Sequence, residues 1–174
     1  MTELRTVQLT AADFQDGQYV GAHDLSGARV LDAHLEITAD LGWVRFLRLR
    51  VRGRVRALAG TGIKAGSGIE AGEGIEAGWG IKAGTGIKAG EGIEAGEGIE
   101  AGTGIEAGEV LRVRLRVFAG LVAWRLPTEE EQLVVCGRFE GGVVAYGRLV
   151  ERGLSSDTPT PVTGVGGGRR GKES

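Results

Sequence analysis

An isoleucine recurs at every sixth position through the middle of the chain, and no other feature of the sequence constrains the fold as strongly. Each isoleucine is followed two residues later by an alanine, and only Lys or Glu stands between them. The unit reads Gly-Ile-(Lys/Glu)-Ala-Gly-x and fills residues 62–109 without interruption. The isoleucines of the perfect units are Ile63, Ile69, Ile75, Ile81, Ile87, Ile93, Ile99 and Ile105.

A period of six does not match the 3.6 residues of a helical turn, whereas the order isoleucine, charge, alanine is the inward–outward alternation of a strand. The glycines on either side of x allow backbone angles that other residues resist, so each unit is a short strand followed by a corner. Such a strand cannot bury a core alone, and the units must coil and stack. The sequence therefore predicts an all-β fold, a single-stranded β-solenoid of six-residue repeats with β-strand caps at both ends.

The repeat frame also predicts the limits of the solenoid. Steps of six residues continue the isoleucine frame through Val51, Ala57, Leu111, Val117 and Ala123. The predicted layout is N-terminal strands and cap at 1–46, solenoid at 47–123, C-terminal hairpin cap at 124–154 and flexible tail at 155–174.

The number of units in one coil is open to two interpretations. A period of 18 stacks Ser67, Thr85 and Thr103 in one column of similar residues. A period of 12 would instead stack Lys64 on Glu76, with alternating signs. We favour the three-sided coil because it encloses isoleucine better, and the two-sided coil is the alternative.

The flanking segments carry strand patterns of their own. Residues 31–37 alternate strictly, and their outward Asp32, His34 and Glu36 would lie beside the arginines of residues 48–56. After the solenoid, residues 133–139 and 143–150 read as a hairpin that turns at Glu140-Gly141-Gly142.

Charge is segregated along the chain. Residues 61–109 hold nine glutamates and three lysines, while both ends are rich in arginine. The 33 glycines argue against a helical fold, since each costs about 1 kcal/mol in a helix. There is no run of ~20 apolar residues and no signal-like segment, and Cys136 is the sole cysteine. We therefore expect a cytoplasmic protein with no membrane contact.

Catalytic and cofactor motifs are not found. The Gly-x-Gly triplets neither follow a long strand nor open a helix, so they do not predict a phosphate-binding loop. The glutamates lack the Asp-x-Asp spacing of calcium loops. We expect no enzyme activity, no cofactor, no metal and no small-molecule substrate.

The six-residue spacing over roughly residues 51–119 resembles the bactofilin-like polymer-forming β-helices and, more loosely, the left-handed β-helix acyltransferases. The acyltransferase repeat has a small residue where this chain has Ser67 and Thr85, but also Trp79 and several glutamates. Those enzymes also use a histidine near loops, and neither interrupts residues 53–123. The resemblance to the polymer-forming family implies assembly.

The function that these observations predict is a non-enzymatic structural or interaction protein, a rigid charged solenoid that associates with itself or with another protein. One alternative is an acidic mimic of nucleic acid, of the kind a mobile element encodes, that inhibits a nucleic-acid-binding protein. A degenerate acyltransferase-like enzyme ranks last, and direct nucleic-acid binding by the arginines is disfavoured. The candidate partner-binding residues are Trp79, Glu73, Glu91 and Glu97, and the candidate assembly or cap residues are Arg52, Arg54, Arg112, Arg114 and Trp124.

Overall fold

The computed structural model describes residues 3–25 and 29–153. The described chain is nearly all-β and winds into a β-solenoid of about 6 turns, which confirms the predicted fold class. Its strands are β1 (Thr6–Leu9), β2 (Phe14–Gln15), β3 (Gln18–Tyr19), β4 (His34–Ile37), β5 (Gly42–Phe46), β6 (Leu49–Val51), β7 (Val55–Ala57), β8 (Thr61–Ala65), β9 (Ile69–Ala71), β10 (Ile75–Ala77), β11 (Ile81–Ala83), β12 (Ile87–Ala89), β13 (Ile93–Ala95), β14 (Ile99–Ala101), β15 (Ile105–Ala107), β16 (Val110–Ala119), β17 (Leu133–Cys136), β18 (Arg138–Tyr146) and β19 (Arg148–Glu151). Two 3-10 helices span Ala11–Asp13 and Glu130–Gln132.

Parallel pairing stacks these strands in three columns. Column A holds β1, β4, β7, β10, β13 and the first parts of β16 and β18. Column B holds β5, β8, β11, β14 and the second parts of β16 and β18. Column C holds β6, β9, β12, β15, β17 and β19. Consecutive repeat strands enter successive columns, so each central coil uses three of them.

The pairing register fixes the coil period in the repeats. Ile75 pairs with Ile93, and Ile87 with Ile105, so the partners are 18 residues apart rather than 12. Each coil therefore takes three six-residue units. The three-sided shape of its cross-section stays a prediction.

The core is a stack of the inward side chains. The isoleucines of the repeats are at most 1 % exposed, and the alanines that follow them are also buried. Burying one isoleucine contributes roughly 1.5–3 kcal/mol. The Lys or Glu between each pair points outward, as the alternation predicts.

The corner glycines are required for close packing rather than for unusual backbone angles. A Cβ on Gly84 would overlap the carbonyl oxygen of Gly66 in the preceding coil, and a Cβ on Gly102 would overlap that of Gly84. The glycines with positive φ all lie outside residues 62–109. Our expectation of special backbone angles in the repeat was therefore wrong, and a steric cause replaces it.

The repeat frame slips on the N-terminal side of the perfect units. Val55, not Ala57, occupies the isoleucine position beneath Ile75, and Ala57 lies beneath Ala77. The corner after β7 is longer than a repeat corner, and Gly60 turns it with a φ of 73°. Steps of six cannot detect the added residues, so the frame positions assigned to Ala57 and Val51 were wrong.

The predicted C-terminal hairpin is also wrong. β18 runs without a break through the predicted turn and pairs in parallel with β16, and β19 pairs in parallel with β17. A Cβ on Gly141 or Gly142 would overlap main-chain oxygens of β16, so this glycine pair allows β18 to stack closely on β16. The segment adds another coil, and the stacked strands reach from Thr6 to Glu151, beyond the predicted limits 47–123.

Two further segments differ from the expectation. Residues 120–132 leave the coil, so Ala123 takes no place in the stack and Val134 pairs with Ile105 instead. The strand predicted over 31–37 begins only at His34, and Leu31 forms a single bridge to Val51. The predicted tail, 155–174, lies outside the described residues. Within the described ranges, no helix is long and apolar enough to cross a membrane.

Candidate interaction surfaces

The outward charges of successive coils lie directly above one another and form ladders. In column A, Arg56 contacts Glu76 at 3.3 Å, and Arg112 contacts Glu94 at 3.1 Å. In column C, Arg50–Glu70 and Lys88–Glu106 are paired at 2.8 and 3.2 Å, and in column B Lys82 contacts Glu100 at 3.1 Å. Like charges also meet, at Glu76–Glu94 and Lys64–Lys82. Because exposed pairs contribute only about 0–1 kcal/mol each, the ladders add little to stability and chiefly set the charge pattern of the sides.

The predicted cap arginines lie at both ends of these ladders. Arg52 contacts Asp32 at 3.1 Å, and Arg54 contacts Glu73 at 3.4 Å. Arg112 bridges Glu94 and Glu140, and its hydrogen bond holds the pKa of the Glu140 carboxyl below its usual value.

Two of the predicted partner-binding glutamates lie in one acidic corner. There Glu73, Glu91 and Glu109 stack, with the Glu91 amide donating to the Glu73 carbonyl oxygen at 3.2 Å and the Glu109 amide to that of Glu91 at 2.9 Å. Arg54 neutralises the first of these carboxylates. The His34 Nδ1 lies 3.6 Å from the same carboxylate and accepts the Arg54 amide hydrogen at 3.1 Å. Neither Glu91 nor Glu109 has an ion pair within residues 3–25 and 29–153.

The other predicted residues, Trp79 and Glu97, lie in a different corner, so the structure divides the predicted set. The Glu97 amide donates to the Trp79 carbonyl oxygen at 3.0 Å. The Trp79 side chain is 37 % exposed and meets Trp43 edge to face, with 6.3 Å between ring centroids.

Sequence reasoning missed the role of Trp43. Trp43 pairs with Gly62, and its ring covers the place where a side chain on Gly62 or Gly80 would lie. The Lys82 ammonium lies 5.3 Å from the ring centroid. The available signal was the outward glycine of the repeat, which leaves room for a large neighbour from the preceding coil.

Trp124 projects from an arm formed by residues 120–132. Within the arm, Arg125 makes two hydrogen bonds to the Glu131 carboxylate, at 2.5 and 2.6 Å, and the Thr128 amide donates to the same group at 2.9 Å. These contacts lower the pKa of Glu131 to about 2. The arm is thus internally braced, yet Trp124 is 77 % exposed and Leu126 is 91 % exposed.

Exposed apolar side chains concentrate near the C-terminal end. Most of the large exposed hydrophobic side chains of the described chain fall between residues 115 and 146. We define the C-terminal apolar surface as Leu115, Leu121, Trp124, Leu126, Val143 and Tyr146. Of these residues, sequence reasoning identified only Trp124. Val143 and Tyr146 lie in β18, which the hairpin interpretation misassigned, and Leu121 and Leu126 lie in the arm, which the repeat frame does not predict.

Chemical groups suited to catalysis or metal binding are sparse. Cys136 is fully buried, and burial raises the pKa of its thiol to about 11, which suits a packing role. No cluster of three or more His, Cys, Asp or Glu side chains placed to hold a metal occurs in the part of the chain that the structure describes. The charged and apolar surfaces are the features available for molecular recognition.

Comparison with protein-family models, with curated proteins and with solved structures finds no match to this chain.

Proposed function

We propose that this protein is a non-enzymatic structural or interaction protein, a rigid charged β-solenoid that associates with its own copies or binds another protein. We place it in the cytoplasm and among assembly proteins of the kind its repeat resembles, the polymer-forming β-helices with six-residue repeats. The observation that carries the proposal is the uninterrupted stacking of coils between Ile63 and Ala107. Every corner in this region is a bare Gly-x-Gly, so the coils present an extended lattice of side chains to a partner.

The charged ladders support recognition of a large partner rather than a small ligand. Their pairs lie on all three columns and repeat with the coil spacing, about 4.8 Å. A macromolecule can contact many such positions at once, and exposed charges steer its approach until salt screens them over about 10 Å at 0.1 M.

Trp79 supplies the test of partner binding. The Trp79→Ser variant should leave the melting temperature nearly unchanged and weaken a partner complex at least about tenfold, or 1.4 kcal/mol. Thr85→Ser, at the same position of the next unit, is the matched control. The wild type, Trp79→Ser and Thr85→Ser proteins are each used to capture partners from the native host. Titration of a captured partner at two salt concentrations then measures its affinity for each protein. A destabilised Trp79→Ser protein that binds its partner normally would make Trp79 a packing residue of the Trp43 contact.

The acidic corner favours a second candidate function, mimicry of nucleic acid. Glu91 and Glu109 stack one coil apart without ion pairs in the described chain, as a short row of regularly spaced negative charges. The mimic predicts that a nucleic-acid-binding partner releases DNA or RNA when this protein is added. Glu91→Gln together with Glu109→Gln should abolish that release, whereas Glu76→Gln, in a paired ladder, should not. Equal release of DNA or RNA by the wild type and both variants would show that the acidic corner does not displace the nucleic acid.

A further inference from the structure

The two ends of the solenoid are finished differently. At the N-terminal end, the antiparallel β2–β3 pair adds to column B, and Phe14, Tyr19 and Phe46 pack with ring centroids 5.5–5.9 Å apart. Leu9, on the outermost strand of column A, is fully buried, and Leu25 is 3 % exposed. This end is therefore partly covered by its own chain, although Val20 and Val30 remain 56 % and 48 % exposed.

The C-terminal end is left with apolar side chains only partly covered. The inward Phe139, Val144 and Leu149 of the last coil pack against the core but remain half-buried. On the outer side of the same coil, Val143 is 57 % exposed and Tyr146 is 41 % exposed. Exposed apolar groups of this kind, when they form a contiguous patch, mark interaction sites on folded proteins.

The arm extends this patch. Gly147, which follows Tyr146, packs against Gln132 at the end of the arm and against Ala119 just before it. The arm therefore leaves and rejoins the coil beneath the corner that Tyr146 and Gly147 form. Trp124 and Leu126 lie between these two points of the chain, and the Arg125–Glu131 pair braces the arm that carries them.

We infer that the C-terminal apolar surface binds the same surface of a second copy of this chain and forms a two-fold dimer. The inference rests on the self-association in the proposed function and names the surface that carries it. Tryptophan and tyrosine with arginine at the rim match the composition of protein interfaces. Such a dimer buries the large side chains that a single copy exposes.

The rest of the chain does not supply a better occupant. Residues 154–174 follow directly on the last coil, but their only aliphatic side chains outside proline are Leu154, Val162 and Val165. These are too few to cover both the arm and the last coil.

Charge on the rim suits a second copy. Arg114 and Arg116 adjoin Leu115 along β16, Glu97 precedes Leu115 in its corner, and none of the three charges has an ion pair within the described ranges. A two-fold axis places the rim of one copy against that of the other, which allows Glu97 to meet the arginines of the opposite copy.

The same features limit assembly through this surface to two copies, so a polymer would have to use another surface. At the N-terminal end the antiparallel β2–β3 pair lies on column B, which disfavours continuation of the parallel pairing of that column by a second copy stacked head to tail. The pairing of β18 with β16 also shifts register twice, and such irregularities disfavour further strand addition at an edge. An isologous contact through the C-terminal surface closes on itself.

Sedimentation equilibrium of the full-length chain over a concentration series tests the inference. The wild type should dimerise, and Trp124→Ser combined with Leu126→Ser should raise the dimer dissociation constant by at least about tenfold, or 1.4 kcal/mol. Leu47→Ser is the matched control, because Leu47 is 64 % exposed outside the surface, and it should dimerise like the wild type. Arg125→Gln, which loosens the arm and keeps its apolar side chains, should weaken the dimer to a lesser degree.

Four results would overturn the inference. One is a Trp124→Ser/Leu126→Ser variant that dimerises as well as the wild type; self-association would then use another surface, and the proposed function would stand. Another is growth beyond two copies that depends on Trp124 and Leu126. A third is a monomeric wild type that dimerises only after truncation following Gly153, which would make residues 154–174 the occupant. A wild type that stays monomeric in every form also rejects the dimer, and the proposed function would then depend on the Trp79 partner test alone.

Discussion

Replacing Ile87 by alanine tests how the stacked core contributes to stability. Ile87 is 1 % exposed and lies between Ile69 and Ile105 in column C. The main-chain bonds between coils fix its surroundings, for example the Ile87 amide to the Gly104 carbonyl oxygen at 3.2 Å, so the coils cannot close on the vacated volume. We therefore expect the free energy of unfolding to fall by about 2–4 kcal/mol, the range for large-to-small changes in a core. For a chain of this size the melting temperature should fall by roughly 4–16 °C.

Lys88→Ala is the matched control because it changes the adjacent residue on the outer face. Lys88 is 63 % exposed at its side chain and pairs with Glu106 at 3.2 Å, so its removal should cost under about 0.5 kcal/mol. Urea unfolding of the three proteins followed by circular dichroism measures both changes, and unequal denaturant slopes would reveal a loss of cooperativity. Equal losses at Ile87 and Lys88 would refute the assignment of inward and outward positions.

Three more predictions concern register, thiol reactivity and pH. The Thr103 amide nitrogen lies 3.4 Å from the Thr85 carbonyl oxygen, so cysteines placed at these two positions should form an intramolecular disulfide on oxidation. Cysteines at Thr85 and Glu97 should not. Mass spectrometry of unreduced peptides detects the disulfide and so distinguishes an 18-residue from a 12-residue coil. Native Cys136, with its pKa raised to about 11, should resist alkylation at pH 8 and react only after unfolding. The pKa of Glu131 is lowered from 4.5 to about 2 in the fold, so its stabilising contribution is present above pH 4.5 and is lost as the pH falls towards 2; Glu131→Gln should remove this part of the acid dependence of unfolding.

The repeats could be predicted from the sequence because local pattern and global packing agree there. Ile87 and its counterparts specify a strand, a face and a position in the coil in every unit, and the structure places them in the core. The corner glycines were predicted for an incorrect reason. Their necessity depends on the main chain of the neighbouring coil, which no local window contains.

The ends could not be predicted in the same way. The longer corner around Gly60 and the arm that begins at Gly120 add residues between strands, while the strands themselves still alternate inward and outward positions. Steps of six residues from the repeats therefore no longer reach the inward positions. Gly141 and Gly142 resemble a turn because a turn and a close main-chain contact both require glycine. Trp43 and Trp79 are far apart in sequence, so their contact can be predicted only when the coil length is known.

The bare corners also determine how this surface can diversify. Within each Gly-x-Gly, packing between coils excludes side chains at the first glycine, whereas x already varies among Ser67, Glu73, Trp79 and Thr85. A substitution at x changes one point on a grid whose layers repeat at about 4.8 Å, with little effect on the isoleucine stack beneath. Recognition can therefore be altered one grid point at a time while the scaffold keeps its stability, and duplicating three units, one full coil, lengthens the grid without redesigning either end.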